Sequence, residues 1–356
     1  MLEINWGKRC SELIKYSFKN DYSEIAHPDI LSAFTDIGNT QFEAYGLDVY
    51  SKEAIELIRT KIGKPCADVH FISGGTQANL TVIGSILKPH EATIAADTGH
   101  IFTNECGAIE ATGHKVCITK GENGKILPAE IEKLVTKHSH EHVVKIKLVY
   151  ISQTTELGSV YTKSELLAIK EVCEKLNLYL FIDGARLGSA VNSKNADFTF
   201  ADIADIADAF YIGGTKNGAL FGEAIVITND DLKTDFRYHL KQRGAMLAKG
   251  AVIGLQFRAL FENNLFDELA KHANAMTARL ADGIEKLGFS FASPVESNQA
   301  FPVFPNALIE KLQELYEFHV IIKNITSETS VCRFCTSWAT TESTVDEFLR
   351  DLEALI

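Results

Sequence analysis

Seven short apolar runs between residues 67 and 229 constrain this chain more than any other feature of its sequence. They cover residues 68–72, 92–96, 115–119, 146–151, 178–182, 209–212 and 224–228, and β-branched or aromatic side chains recur in them. Most are apolar on both faces, which is how strands read in a sheet covered on both sides. Helical patterns such as residues 163–176 lie between some of them. That alternation predicts an α/β fold built on a mainly parallel, seven-stranded sheet.

After Gly250 the pattern changes. Residues 252–261 and 265–287 read as helices, the second with Leu265, Leu269, Ala273, Met276, Leu280 and Ile284 on one stripe. A strand at 300–304, a helix at 307–315, strands at 320–322 and 330–338 and a helix at 344–356 follow. Thr344 is the expected N-cap of the last helix, with Glu347 at the capping-box position. These elements predict a small C-terminal α+β domain. A chain of 356 residues is long for one core. The expected division is an N-terminal segment at 1–44, a large domain at 45–250 and a small domain at 251–356.

A formal net charge of −12 argues against nucleic acid, whose phosphates require clustered Lys and Arg. No apolar run is long enough to span a bilayer. Residues 1–18 alternate charged and apolar side chains and so lack a signal-peptide core. Seven irregularly spaced cysteines fit a reducing compartment, and the expected location is the cytoplasm. No metal site is expected. Cys332 and Cys335 fall on an expected strand, where residues three apart point to opposite faces. His138, His140 and His142 lie between a helix and a strand and read as a solvated loop.

Ligands gather at the carboxyl ends of parallel strands, and four candidate sites lie just past expected strands. Ser73-Gly74-Gly75-Thr76-Gln77-Ala78-Asn79 follows the first run and opens a helix expected over 77–87. Free N–H groups at a helix start suit a phosphate, and glycines let it approach; a plain turn capped by Thr76 fits the same residues. Asp183 follows the run 178–182, placed to keep a pyridinium nitrogen protonated or simply to cap the next turn. Lys216 lies among Gly213, Gly214 and Gly218, as a Schiff-base amine or an exposed loop lysine. His100 follows the run 92–96, where an imidazole can stack on a ring and exchange a proton, or serve as a structural histidine. Neither a nucleotide P-loop nor a G-x-G-x-x-G fingerprint is present. Order decides among these readings. A phosphate cradle, an acid on a strand end and a loop lysine 33 residues later follow the order that a pyridoxal-phosphate site needs.

The stretches HFISGGTQ at 70–77, GAIEATGHK at 107–115, FIDGARL at 181–187, YIGGTKNG at 211–218 and KQRGA at 241–245 give the chain a family likeness. It resembles the threonine aldolase branch of the β-eliminating lyases over residues 18–356. These are pyridoxal-phosphate enzymes of fold type I, with a transferase-like large domain that binds the cofactor. The resemblance implies Lys216 as the Schiff-base lysine, Asp183 on the pyridine nitrogen and His100 stacked on the ring. It implies Gly75, Thr76 and Gln77 as the phosphate cradle, with Thr215 as a further contact. Arg186 and Arg333 resemble the pair that holds a substrate α-carboxylate, with Asn20 where a serine is common. The implied reaction is retro-aldol Cα–Cβ cleavage of L-threonine and L-allo-threonine to glycine and an aldehyde. Action on phenylserine-like substrates, β-elimination, or non-catalytic binding on the same scaffold are the alternatives. A homodimer or homotetramer is also implied.

Two departures stand out. Thr155 occupies the place of a histidine that is one candidate for handling the β-hydroxyl proton, leaving that task to His100, Thr155 or a water. Leu247 stands where many members carry a phosphate-binding arginine, and Arg243 or Lys249 are the candidates to replace it.

Overall fold

The computed structural model describes residues 14–356. Most of the stretch read above for a signal peptide lies outside the described residues. The seven runs form one sheet: β1 (Asp68–Ile72), β2 (Glu91–Ala96), β3 (Lys115–Thr119), β4 (Lys145–Ser152), β5 (Tyr179–Asp183), β6 (Ala209–Gly213) and β7 (Glu223–Ile227). Their order is β1-β7-β6-β5-β4-β2-β3. Pairing is parallel from β6 through β5, β4 and β2 to β3, and β7 is antiparallel to both β1 and β6. The fold is therefore α/β, with a mixed sheet of mostly parallel strands.

Side-chain alternation explains why the central strands read as continuous apolar runs. Leu148, Tyr150, Phe181 and Tyr211 pack into one core, while Val149, Ile151, Leu180, Ile182, Phe210 and Ile212 pack into another across the sheet. Each such buried Val, Leu, Ile or Phe contributes about 1.5–3 kcal/mol relative to exposure. Helices cover both faces, among them α1 (Val49–Ile62), α2 (Gly75–Ile86) and α3 (Lys163–Lys175). The start of α3 is set by a capping box, in which Thr162 and Glu165 satisfy each other's backbone N–H groups.

At the carboxyl ends of β5 and β6 the two backbones come too close for side chains. Gly213 N–H donates to the Gly184 carbonyl at 2.9 Å. A Cβ on Gly184 would collide with the carbonyl of Tyr211, and one on Gly213 with that of Ala185. This close approach draws the turns after Asp183 and before Lys216 together.

The large core extends past Gly250. From α4 (Ala251–Glu262), Ile253, Phe257 and Leu260 pack in it, and so do Leu265, Phe266 and Leu269 at the start of α5 (Leu265–Lys286). Further along α5, Met276, Leu280 and Ile284 join a separate cluster with Phe304, Leu312, Phe334 and Phe348. The change of core falls inside α5, whose single apolar stripe serves both.

The C-terminal strands are β8 (Gln299–Ala300), β9 (Val303–Pro305), β10 (His319–Ile322) and β11 (Thr329–Cys335). The strand expected over 300–304 is thus two short pieces, broken at Phe301-Pro302, because proline cannot donate to a ladder. The last helix, α6 (Glu342–Leu355), is capped by Thr341 rather than Thr344. Thr341 has the extended backbone that a cap needs, and its side chain accepts from Thr344 N–H, so Thr344 is already helical. The N-terminal segment joins this region: Tyr16–Ser17 pairs in parallel with Tyr316–Glu317, and Phe18 is buried against Phe334 and Phe348. The chain then passes from Phe18 through Lys19 and Asn20 to Asp21, at the junction of the two cores.

Candidate active site

The carboxyl ends of β1, β2, β4, β5 and β6 lie on one edge of the sheet, and each carries polar residues. Asp183 ends β5 and is only 4% exposed. Its Oδ2 accepts from Tyr150 Oη at 2.6 Å and from Asn79 Nδ2 at 3.0 Å. Its Oδ1 accepts from Tyr211 Oη and from the Ala185 N–H at 3.0 Å. Burial raises the proton affinity of this carboxyl, but His100 and these donors outweigh burial and hold it below the usual carboxylate range. Asp183 is a fixed negative charge.

His100 opens a one-turn helix past β2. Its Nδ1 lies 2.8 Å from Oε1 of Glu105, a carboxylate with no exposed side-chain surface. Burial disfavours the charged ring, yet Glu105 and Asp183 raise its proton affinity above the ordinary histidine value. The same Glu105 oxygen accepts from Asn79 Nδ2 at 2.7 Å. Asn79 therefore bridges Glu105 and Asp183. The backbone N–H of His100 donates to Glu156 Oε1 at 2.8 Å.

Lys216 lies in the turn between β6 and β7. Burial and the nearby Arg186 guanidinium lower its proton affinity, partly offset by Asp21, Asp183 and Glu223. Glu223 holds the turn: its carboxylate accepts from Gly214 N–H at 2.8 Å and from Thr215 Oγ at 2.9 Å. Burial pushes the Glu223 carboxyl up to about 7. The Thr215 hydroxyl also accepts from Gly222 N–H at 3.0 Å, so it is committed inside the turn.

The stretch expected to form a cradle opens α2. The first helical hydrogen bond runs from Ala78 N–H to the Gly74 carbonyl, so the N–H groups of Gly75, Thr76 and Gln77 have no partner within the helix. Gly75 faces Tyr211; a Cβ there would lie 3.0 Å from Tyr211 Oη. The Gln77 side chain accepts from Ser73 Oγ and donates to the Arg243 carbonyl at 3.2 Å. Arg243 reaches this place through its backbone carbonyl, while its guanidinium lies against Gly84, further along α2. Lys249 is exposed.

The expected substrate-binding residues are differently engaged. Arg186 donates Nε to Asp21 Oδ2 at 2.7 Å and Nη2 to Oδ1 at 3.0 Å. Asp21 is fully buried and also accepts from Asn298 Nδ2 at 2.8 Å. Arg186 is therefore already forked onto a protein carboxylate. Arg333 donates Nη2 to the Lys19 carbonyl at 3.0 Å, and its buried Nε has no partner among the described residues. Asn20 Oδ1 accepts from Tyr22 N–H and Ser23 Oγ in a local turn. Thr155 is buried, with its hydroxyl tied to the Asn123 carbonyl and Ser159 Oγ. A hydroxyl engaged in that way is a poor candidate for the β-hydroxyl proton.

Asp21, Glu105, Tyr150, Glu156, Glu223 and Asn298 join this cluster without being singled out from the sequence, and Asn79 and Tyr211 lie in candidate stretches that gave them no role. Faint signals exist. Asn79 stands one helical turn past the cradle, and Tyr150 shares a strand face with Ser152 at the strand end. Nothing in the sequence marks Asp21 or Asn298. Among the described residues no group of three His, Cys, Asp or Glu side chains is arranged to hold a metal. Cys332 and Cys335 are buried free thiols.

Comparison with known proteins gives the family. The beta-eliminating lyase model matches residues 37–306. The low specificity L-threonine aldolase of Pseudomonas sp. (strain NCIMB 10558) is 32% identical over 344 residues, covering 95% of this chain and 96% of that protein. A solved structure of Leishmania major threonine aldolase superposes with a TM-score of 0.94 at 48% identity, covering 96% of this chain and 99% of that one. Aspartate aminotransferase from Thermus thermophilus shares the fold alone, with a TM-score of 0.72 at 16% identity, covering 97% of this chain and 92% of that one. With the family model spanning most of the chain and the Pseudomonas relative nearly all of it, the protein belongs to the beta-eliminating lyase family.

Proposed function

We propose that this chain is a pyridoxal 5'-phosphate-dependent aldolase that cleaves L-threonine and L-allo-threonine to glycine and an aldehyde. The observation that carries the reading is the convergence of an ionised Asp183, a Lys216 amine of lowered proton affinity, His100 and the free N–H groups at Gly75–Gln77 on one sheet edge. These residues fit the cofactor. Gly75 leaves the cradle without a side chain, and Asp183 is a charge suited to a pyridinium N–H. When bound, pyridoxal phosphate supplies the electron sink that stabilises negative charge at Cα.

The chain's own residues do the rest. Lys216 provides an amine whose neutral form is favoured by burial and Arg186. Asp183, fixed by four donors, needs no reorganisation to hold a positive charge. Arg333, with an unpartnered Nε, and Arg186, with its remaining Nη1, are assigned to the substrate carboxylate. The threonine aldolases of Pseudomonas and Leishmania major support the substrate class. We also infer a cytoplasmic homodimer or homotetramer. Ile25 and Val49 are apolar side chains more than half exposed, and no described helix is long and apolar enough to cross a membrane. Cell fractionation and light scattering of the active form check these two points.

The test is product analysis of the loaded protein with L-threonine, L-allo-threonine, D-threonine and phenylserine. Glycine and acetaldehyde from both L-diastereomers are expected. Ammonia with a keto acid would move the reading to β-elimination. Failure to take up the cofactor at all would leave only a binding scaffold.

A further inference from the structure

We propose that Glu156 is the residue that exchanges a proton with the β-oxygen of the substrate, filling the role that Thr155 does not. The inference rests on the aldolase reading above and assigns a catalytic residue within it.

A closed circuit of polar groups joins His100 to Asp183 by two routes. One runs through Glu105 Oε1 and Asn79 Nδ2. The other runs from Asp183 Oδ2 to Tyr150 Oη, on to Ser152 Oγ 3.3 Å away, then to Glu156 Oε1 at 2.6 Å, which also takes the His100 N–H. Ser152 is the residue of β4 that pairs with Asp183 on β5, so Glu156 hangs from the same strand edge that carries the cofactor-binding acid.

Three carboxylates share this circuit, and their surroundings differ. Asp183 takes four hydrogen bonds over both oxygens. Glu105 faces the imidazole directly. Glu156 receives two neutral donors on Oε1, and no other residue among those described hydrogen-bonds Oε2. Asp183 and Glu105 are 4% and 5% exposed; Glu156 is half-buried as a residue, with its carboxyl group turned inward. The groups that act on it are Asp183 from β5, His100 from the segment after β2, Tyr150 and Ser152 from β4 and Tyr161 from the loop before α3. None is a cation besides the imidazolium. Burial first, and then the Asp183 charge, raise the Glu156 carboxyl above the usual range.

The proton balance closes without a co-reactant. As the substrate Cα–Cβ bond breaks, the β-O–H bond gives its proton to Glu156 Oε2, and its electron pair becomes the second bond of the aldehyde carbonyl. The Cα–Cβ electron pair stays on the glycine side. That proton, or one exchanged for it with water, completes the new Cα–H bond and returns Glu156 to a carboxylate.

The experiment compares wild type, E156Q and E156D, each loaded with pyridoxal phosphate. E156Q keeps the size of the side chain and an acceptor for His100 N–H and Ser152 Oγ. It is expected to lower kcat on L-threonine on the order of a hundredfold, to leave KM within about threefold, and to remove one limb of the pH–kcat profile. E156D, which retains an ionisable carboxyl, is expected to recover part of the lost rate and to move that limb rather than abolish it. A readout independent of turnover is the carbonyl stretch of a protonated carboxylic acid in infrared difference spectra across the pH range. Glu223 contributes one such band in both proteins; a second component is expected in wild type and is missing from E156Q. E156Q that keeps wild-type kcat with both limbs intact overturns the assignment and leaves the aldolase reading standing. E156D as slow as E156Q, with identical carboxyl bands in wild type and E156Q, overturns it as well. Wild type that releases no glycine from any β-hydroxy amino acid fails the aldolase reading itself.

Discussion

Lys216→Ala is expected to reduce glycine formation from L-threonine by roughly a thousandfold or more, because a nucleophilic group whose chemistry no neighbour can take over is being removed. Arg186 is the neighbouring cation in the site, and a guanidinium does not deprotonate in proteins, so it cannot replace the amine. The check has two parts. Turnover is measured with L-threonine, and borohydride is added to protein incubated with pyridoxal phosphate. Borohydride fixes an aldehyde held by an amine, so mass spectrometry is expected to show the added mass on the Lys216 peptide of wild type and none in the variant. Full turnover in Lys216→Ala would remove the basis of the functional reading. The substitution is expected to fold normally, since Lys216 makes no hydrogen bond that the turn needs; Glu223, Gly214 and Thr215 hold it.

Asp21→Ala carries the largest expected cost in stability, roughly 3–5 kcal/mol, the range for removing one partner of a buried ion pair. Asp21 is fully buried, and the Arg186 side chain is 14% exposed. Without Asp21 the guanidinium loses both fork contacts, and Asn298 loses an acceptor. Urea unfolding followed by circular dichroism measures the loss, and a change below about 1 kcal/mol would mean that the pair is effectively solvated. The pH dependence has a definite sign. Burial alone would raise the Asp21 carboxyl, but Arg186, Lys216 and Asn298 outweigh it, so its folded-state value lies below the ordinary 3.8. The stabilisation is thus present above the unfolded value and lost as pH falls below 3.8 through the folded value. In Asp21→Ala this acid-side decline is expected to flatten. The same substitution frees Arg186 to turn, so a rise in KM should accompany the stability loss.

The seven strands, the helices between them and the order cradle–acid–lysine were legible because each rests on a local pattern. Apolar runs covered on both faces repeat with the sheet, and Gly75, Asp183 and Lys216 each follow such a run. The cap of the last helix shows where local pattern stops. Thr341 and Thr344 are chemically equal, and only the extended backbone at Thr341 selects it. The polar partners were less legible still. Asp21 meets Arg186 across 165 residues, and Asn79 meets Asp183 across 104. A single carboxylate or amide contributed from a distant segment has no period, so nothing in its neighbourhood announces it. Those contacts decide the electrostatics: they keep Asp183 ionised, fork Arg186 onto Asp21, tie up Thr155 and hold Glu156 through Oε1. The sequence by itself therefore determined the sheet, the family likeness and the residues placed at its strand ends, because periodicity and chain order are local. Which of those residues are free to act was decided by the tertiary structure alone, since hydrogen-bond partners are chosen by proximity in space.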